Sequence, residues 1–445
     1  MIEYNQLSCY IFRQKGIAMS LSKKIFILQK SITKNIGETA LGDFIKNEKM
    51  NTDYTKIGKS KEEFISDMVN EGKITRKKVN EFLYKELFYG KQKANYIRKF
   101  SAAETNLQSE TAVIDAVSKT YDVSSGYVNY IAMNFFTKGE SKEALPLFKI
   151  LKDEVTGKVK KIHFIFSEIV GRYTTKGARP THEHSFIPVE IDIEKKMMVV
   201  RVARKDKMVD EDQKYDMLQD KYAKRVIELL GLCTEIFVDH KENLYKVMTF
   251  LVDQIFAKMC ESKNKEIGPI VKKSSEDLLK LLNIYNLDKK KSKKNIFDLE
   301  QNIDRLIDHI LITDILYDKD MNEKLEGVDG IITYLKFSDG VNLQAILSGD
   351  NYIRPIYDSD AFMGLRRTID NEKEIMEANI IWYNGTQIIR VKYDMSSPQY
   401  QFVFFYRYYN RGEFDYALGK YEKIGSGNTD KVQKLDKGCT NSVAT

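Results

Sequence analysis

HSFIPVEIDIEKKMMVVRVAR, residues 184–204, decides the fold. Its apolar side chains recur every second position, the period of a strand and not of a helix. Two strands joined by a hairpin turn at Glu194–Lys196 follow from that alternation, with His182, His184, Glu190 and Asp192 on one face and Ile187, Val189, Ile191 and Ile193 on the other. Upstream, KKIHFIFSEIV (160–170) has the same period and supplies a third antiparallel strand. Pro188 lacks the N–H a central ladder needs, so the second strand should lie at an edge at that point.

Outward from this hairpin the period changes. Residues 20–150 read as helices: Ser60 and Glu63 have capping-box spacing ahead of Phe64, Ile65, Met68 and Val69, and Gly72 ends that helix. A longer helix carries Val79, Phe82, Leu83 and Leu87 on its buried stripe, runs on through the text to Phe100, and breaks at Gly90. Helices return between about residues 215 and 316, where Leu244, Val247, Leu251, Ile255 and Met259 share one face. Lys-rich LDKKKSKKN (287–295) reads as a solvated connector. A second β-rich stretch spans 330–409, and the Asn384–Gly385 pair inside WYNGTQ signals a hairpin because a type I′ turn needs positive φ at both central positions.

The expected fold class is therefore α+β: a helical N-terminal region carrying helix-turn-helix units, then two antiparallel β-rich segments separated by helices. The expected boundaries are 20–150 for a helical nucleic-acid-binding region, 151–325 for an α+β domain with a three-stranded segment, 326–422 for a β-rich domain, and 423–445 for a flexible tail. At 445 residues the chain is long for one core. Met19, followed by SLSKKIFIL, is a second candidate initiator.

Composition narrows the partners. Charge is modestly basic, 71 Lys and Arg against 64 Asp and Glu, a balance that does not by itself single out nucleic-acid binders. Four cysteines, Cys9, Cys233, Cys260 and Cys439, have no CxxC spacing, so neither a zinc ribbon nor a disulfide framework is expected and a reducing cytoplasm fits. No apolar run approaches the roughly 18 residues of a membrane helix, and no dinucleotide, P-loop, nucleophile-elbow or zinc-protease fingerprint occurs. Neither a cofactor nor a metal is expected.

The functional expectation rests on a frame written twice. ITRKKVNEF (74–82) and VSSGYVNYI (123–131) share a β-branched residue, a hydroxyl residue, three variable positions, Val, Asn, one variable position and an apolar residue. A helix-turn-helix buries the turn residue and a few apolar positions against its first helix while the intervening positions face the groove. In AVIDAVSKTYDVSSGYVNYIAMNFF (112–136), Val123 would plug the turn, Ser124 cap a second helix, and Val128 and Ile131 pack inward. This stretch resembles the helix-turn-helix superfamily, with Asp122 where the turn commonly has Gly and Ser118 at the small position of the first helix.

The resemblance implies that Ser125, Gly126, Tyr127, Asn129 and Tyr130 meet double-stranded DNA, Asn129 on an adenine edge and the tyrosines on phosphate or thymine methyl groups. In the first unit Arg76, Lys77, Lys78 and Asn80 take the corresponding places and suit phosphate contact. Downstream, Phe82, Tyr84, Phe88, Tyr89, Tyr96 and Phe100 interleave with lysines and arginines, a pattern also found in strand-tracking grooves. A cytoplasmic DNA-binding protein, such as a prokaryotic regulator or a mobile-element or defence component, is the leading expectation, and enzyme status is left open. The alternatives are a metal-dependent nuclease centred on residues 163–196, with His163, His184, Glu190 and Asp192 as its polar groups, and an assembly subunit that pairs with copies of itself or a protein partner. Against the metal site, His184 and Glu190 lie about 20 Å apart on a straight strand, and Glu190 or Asp192 has a cross-strand partner in Arg201.

Overall fold

A computed structural model of the chain describes residues 25–37, 39–48, 58–90, 93–123, 126–132, 143–173, 179–205, 207–260, 268–283, 306, 327–338, 344–349 and 354–427. Ser124 and Ser125, the Lys-rich run 287–295 and the tail beyond residue 427 lie outside the described residues. The protein is α+β. Its helices are α1 (Lys30–Thr33), α2 (Ala40–Asn47), α3 (Lys61–Asn70), α4 (Arg76–Phe88), α5 (Glu110–Ser118), α6 (Tyr215–Leu230), α7 (His240–Cys260), α8 (Gly268–Asn283), α9 (Asp360–Glu372) and α10 (Arg411–Gly425). Strands are β1 (Lys93–Ala103), β2 (Val128–Asn129), β3 (Glu143–Lys152), β4 (Val159–Arg172), β5 (Thr181–Asp192), β6 (Met197–Ala203), β7 (Leu232–Glu235), β8 (Gly330–Ser338), β9 (Gln344–Ser348), β10 (Glu377–Asn384), β11 (Gln387–Asp394) and β12 (Gln401–Phe405).

These strands form one sheet in the order β2-β3-β4-β5-β6-β1-β12-β11-β10-β8-β9, with β7 pairing β1 off that path. The three strands expected at 160–204 are present as β4, β5 and β6. Pro188 is tolerated as anticipated: β5 pairs with β4 along its length, whereas its ladder with β6 runs only from Val189 to Asp192. The second hairpin joins β10 and β11 with Asn384 opposite Gln387, so its two turn residues are Gly385 and Thr386, one position later than expected. Gly385 has φ +59° and Thr386 is absent from the positive-φ residues, the pattern of a II′ turn in place of I′.

The helical reading of 20–150 holds for α1 to α5 and fails at β1, β2 and β3. β1 is the strand that unites the sheet: Asn95 stands opposite Arg201 of β6 on one side and Val403 of β12 on the other. Ala94 and Tyr96 are buried on one face and Asn95 and Ile97 on the other. A strand covered on both faces loses the polar alternation that would reveal it, and its aromatic positions then mimic a helical stripe. The two β-rich segments likewise belong to this one sheet, so the boundary expected at 325/326 falls between strands of the same sheet.

Each sheet face carries its own core. Ile97, Leu147, Ile165, Phe186, Met197 and Val199 pack with α1 to α4, α7 and α10. Ala94, Tyr96, Phe164, Ile187, Val189, Ile191 and Val200 pack with α5 and α6 on the opposite face. The alternation in β5 is therefore the one read from residues 184–193, with apolar odd positions facing α6 and Glu190 and Asp192 facing α4.

Candidate nucleic-acid interface

The first of the two units is a pair of helices joined by a short turn. Ser60 accepts from the Glu63 N–H while Glu63 accepts from the Ser60 N–H, closing the capping box at the start of α3. Gly72 takes φ +78° in the turn, Ile74 is buried beneath it, and the Thr75 hydroxyl accepts from the Lys78 N–H to cap α4. Val79, Leu83 and Leu87 are fully buried, as the periodicity required. Their burial leaves the first turn of α4 with Arg76, Lys77 and Lys78 exposed and no acidic residue. Arg76 covers the Phe26 ring at 5.6 Å, and Lys78 pairs with Glu48.

The second unit is not two helices. α5 forms and buries Val113, Ala116 and Val117, but Val128 and Asn129 are the short edge strand β2, paired with Phe148 and Leu147 of β3. Val123, Val128 and Ile131 do pack inward, so the apolar part of the frame is satisfied by a strand in place of a second helix. Gly126 explains part of the change: it has φ +71°, and a Cβ there would stand 2.7 Å from Ile114 Cδ1. A left-handed residue at that point interrupts any helix starting at Ser124.

Both frames nonetheless end in one place. The Ala132 N–H donates to the Asn80 side-chain oxygen at 3.0 Å, joining α4 to the segment after β2. One turn further, the Tyr84 hydroxyl lies 2.6 Å from His163 Nδ1, and the Phe88 ring stacks on the His163 ring at 4.3 Å. Asn80, Tyr84 and Phe88 form one stripe of α4, so the helix crosses the strands from the β2 edge toward the sheet centre. The Arg76–Lys78 turn consequently sits at the β2 edge. Tyr127 (44% exposed) and Tyr130 (38% exposed) flank that edge, and the Lys149 ammonium of β3 stands over both the Tyr84 ring at 5.1 Å and the Tyr127 ring at 5.8 Å. Asn129 is half-buried, with its side-chain oxygen shielded and, among the described residues, without a hydrogen-bond partner.

A buried charge cluster holds α4 on the sheet. Glu190 is 2% exposed and Arg201 is 0% exposed. Glu190 Oε2 accepts from Arg201 at 3.0 Å and Oε1 from the Lys161 ammonium at 2.6 Å; Lys161 also pairs with Asp192 at 3.0 Å. The Arg201 guanidinium is enclosed by the rings of Phe88, Tyr89 and Phe414, each within 4.9 Å. Two carboxylates and two cations make the group neutral overall, which limits the cost of burying it. Burial would raise the Glu190 carboxyl, but Arg201 and Lys161 outweigh that and hold it below the usual carboxylate range. Burial pushes His163 down to about 3, so it is neutral at physiological pH.

The cross-strand pairing of Arg201 with Glu190 was legible from the alternation, but the face is covered by α4 and not solvated. Lys161 occupies the position between Glu190 and Asp192 that a divalent cation would need. Among the described residues no group of three or more His, Cys, Asp or Glu could hold a metal ion. The interleaved aromatics are core residues: Phe88, Tyr89, Tyr96 and Phe100 are buried, and Phe82 stacks on Phe44 at 4.3 Å. Lys149 is not among the candidates the sequence offers, because it lies on a strand, β3, within the stretch expected to be helical. Among the described residues no helix is long and apolar enough to cross a membrane. No family model, curated protein or solved structure matches this chain.

Proposed function

We propose that the protein binds double-stranded DNA through the first turn of α4, with the β2 edge beside it. The observation that carries this reading is the exposed run Arg76, Lys77 and Lys78 at a helix N-terminus free of acidic residues. Cations there oppose the helix dipole, a cost that Glu48 beside Lys78 offsets in part and that an arriving anion would offset further. Phosphate oxygens relieve it by accepting from the side chains and adding their charge at the positive end of the helix. Lys149, Tyr127 and Tyr130 extend the surface with one further cation and two phenols able to reach backbone or base edges. Asn80 supports this surface by accepting from the Ala132 N–H, while the Asn129 side-chain oxygen is shielded from it.

The test is binding to duplex DNA, single strands and RNA titrated against salt. For the duplex, the logarithmic salt slope of the R76A/K77A/K78A protein should be shallower by about 2 to 3, since each phosphate contact contributes about 0.9. An unchanged slope in a variant that still folds overturns the proposal.

A further inference from the structure

On the opposite face of the sheet, a cleft of about 290 Å³ opens between the start of α6 and strands β1, β11 and β12. Its cation is Arg204. The guanidinium lies 5.3 Å from the Tyr215 ring and 5.2 Å from the Phe404 ring, and it has no hydrogen bond or ion pair among the described residues. Arg204 is exposed, with its fork flanked by two aromatic rings and its donors open to solvent, where they can meet a phosphate in bidentate fashion. Lys392, in the same cleft, is already committed to Glu377 at 2.5 Å.

A second polar group faces the same cleft. Tyr96 is 2% exposed and lines the cleft, yet its hydroxyl has no hydrogen-bond partner among the described residues. The ring is buried but the oxygen itself is not closed off, so it opens into the cleft and can donate to or accept from a molecule there. Around it stand the half-buried rings of Tyr400 and Phe402, at 5.1 and 5.2 Å from the Tyr96 ring, which give a planar molecule something to lie against. Asp216 and Asp394 close the cleft with negative charge, and Asp394 already accepts from the Ser396 N–H. Two carboxylates disfavour a polyphosphate but accept readily from the hydroxyls of a sugar.

We propose that this cleft binds a nucleoside monophosphate, its phosphate on the Arg204 fork, its base against Tyr400 and Phe402, and its sugar hydroxyls toward Asp216. The volume suits a ligand of that size. The site is separate from the α4 surface and does not depend on it.

Isothermal titration calorimetry of the full chain with AMP, GMP, CMP and UMP, and with the four nucleosides, tests the assignment. At least one monophosphate should saturate below about 1 mM and bind roughly tenfold or more tighter than its nucleoside, the size of effect a charge-assisted pair supplies. Arg204→Ala should abolish that binding, and Tyr96→Phe, which removes one oxygen from an otherwise unchanged ring, should weaken it by roughly 5- to 10-fold with an unaltered melting temperature. The proposal is overturned by no saturation with any of the four, by nucleosides binding as tightly as monophosphates, or by wild-type affinity in Arg204→Ala. Arg204→Ala should leave the salt slope for DNA unchanged, so the two readings fail separately.

Discussion

Tyr84 of α4 and His163 of β4 meet at 2.6 Å, 79 residues apart in sequence, and this contact fixes the helix across the sheet. The proposed DNA surface therefore depends on a helix whose pose is set from beneath. Tyr84→Phe keeps the ring under Lys149 and removes only the hydroxyl. It should cost about 1–2 kcal/mol in urea unfolding, because the His163 nitrogen is left buried without a partner. A variant as stable as the parent would show that the tie contributes nothing.

Acid should loosen the same region before Glu190 loses its charge. His163 titrates at about 3 when folded and near its ordinary value of 6.5 when unfolded. Between those values the unfolded chain binds the extra proton, so stability falls as pH drops from about 6.5, by up to about 1.4 kcal/mol per unit. Glu190, held below the usual range, adds its own loss only at more acidic pH. Urea midpoints at pH 7.5, 6.0 and 5.0 should decline in the parent and decline less steeply in His163→Phe, where His184 and His240, also held down by burial, still contribute; equal slopes in both would rule out this assignment.

Breaking the charge cluster on one side should be worse than removing it. Glu190→Gln leaves Arg201 buried without its counter-charge and should cost about 3–5 kcal/mol. Pairing it with Arg201→Met restores neutrality among the Phe88, Tyr89 and Phe414 rings and should recover a substantial part of that loss. Strictly additive losses in the double variant would show that the two charges are not coupled.

At Gly126 two penalties coincide, a left-handed backbone and a Cβ position 2.7 Å from Ile114 Cδ1. Gly126→Ala should destabilise by about 1–3 kcal/mol. Adding Ile114→Val deletes the obstructing methyl and should return part of the loss, leaving the backbone share. No recovery would place the whole cost in φ.

What could be read from the residues was local. Ser60 with Glu63, the positions of Val79 and Leu83, the alternation of β5 and the hairpin at Gly385 each depend on neighbours a few positions away, and each took its expected form or nearly so. β1 escaped because burial on both faces erases its period, and β3 because residues up to 150 were assigned to helices as a block. The doubled frame was half right for a physical reason: Val128 and Ile131 are buried whichever backbone carries them, and only Gly126 distinguishes strand from helix. The meeting of Tyr84, Phe88, His163 and Arg201 has no local signature, since it arises where a helix and three strands cross.

β1 ties the amino-terminal third of the chain to its end: Asn95 donates to the Val403 carbonyl and accepts from the Tyr409 hydroxyl, more than 300 residues away. A ribosome adding about 5–20 residues per second needs roughly 15–60 s to make the intervening chain. Throughout that wait the Ala94–Ile97 stretch of β1 that β12 will cover is an unpaired edge, the kind of template that recruits neighbouring nascent chains. Synthesis in the cell should accordingly lean on a holding chaperone, and a fragment ending at residue 150 should emerge aggregated instead of as a free-standing DNA reader.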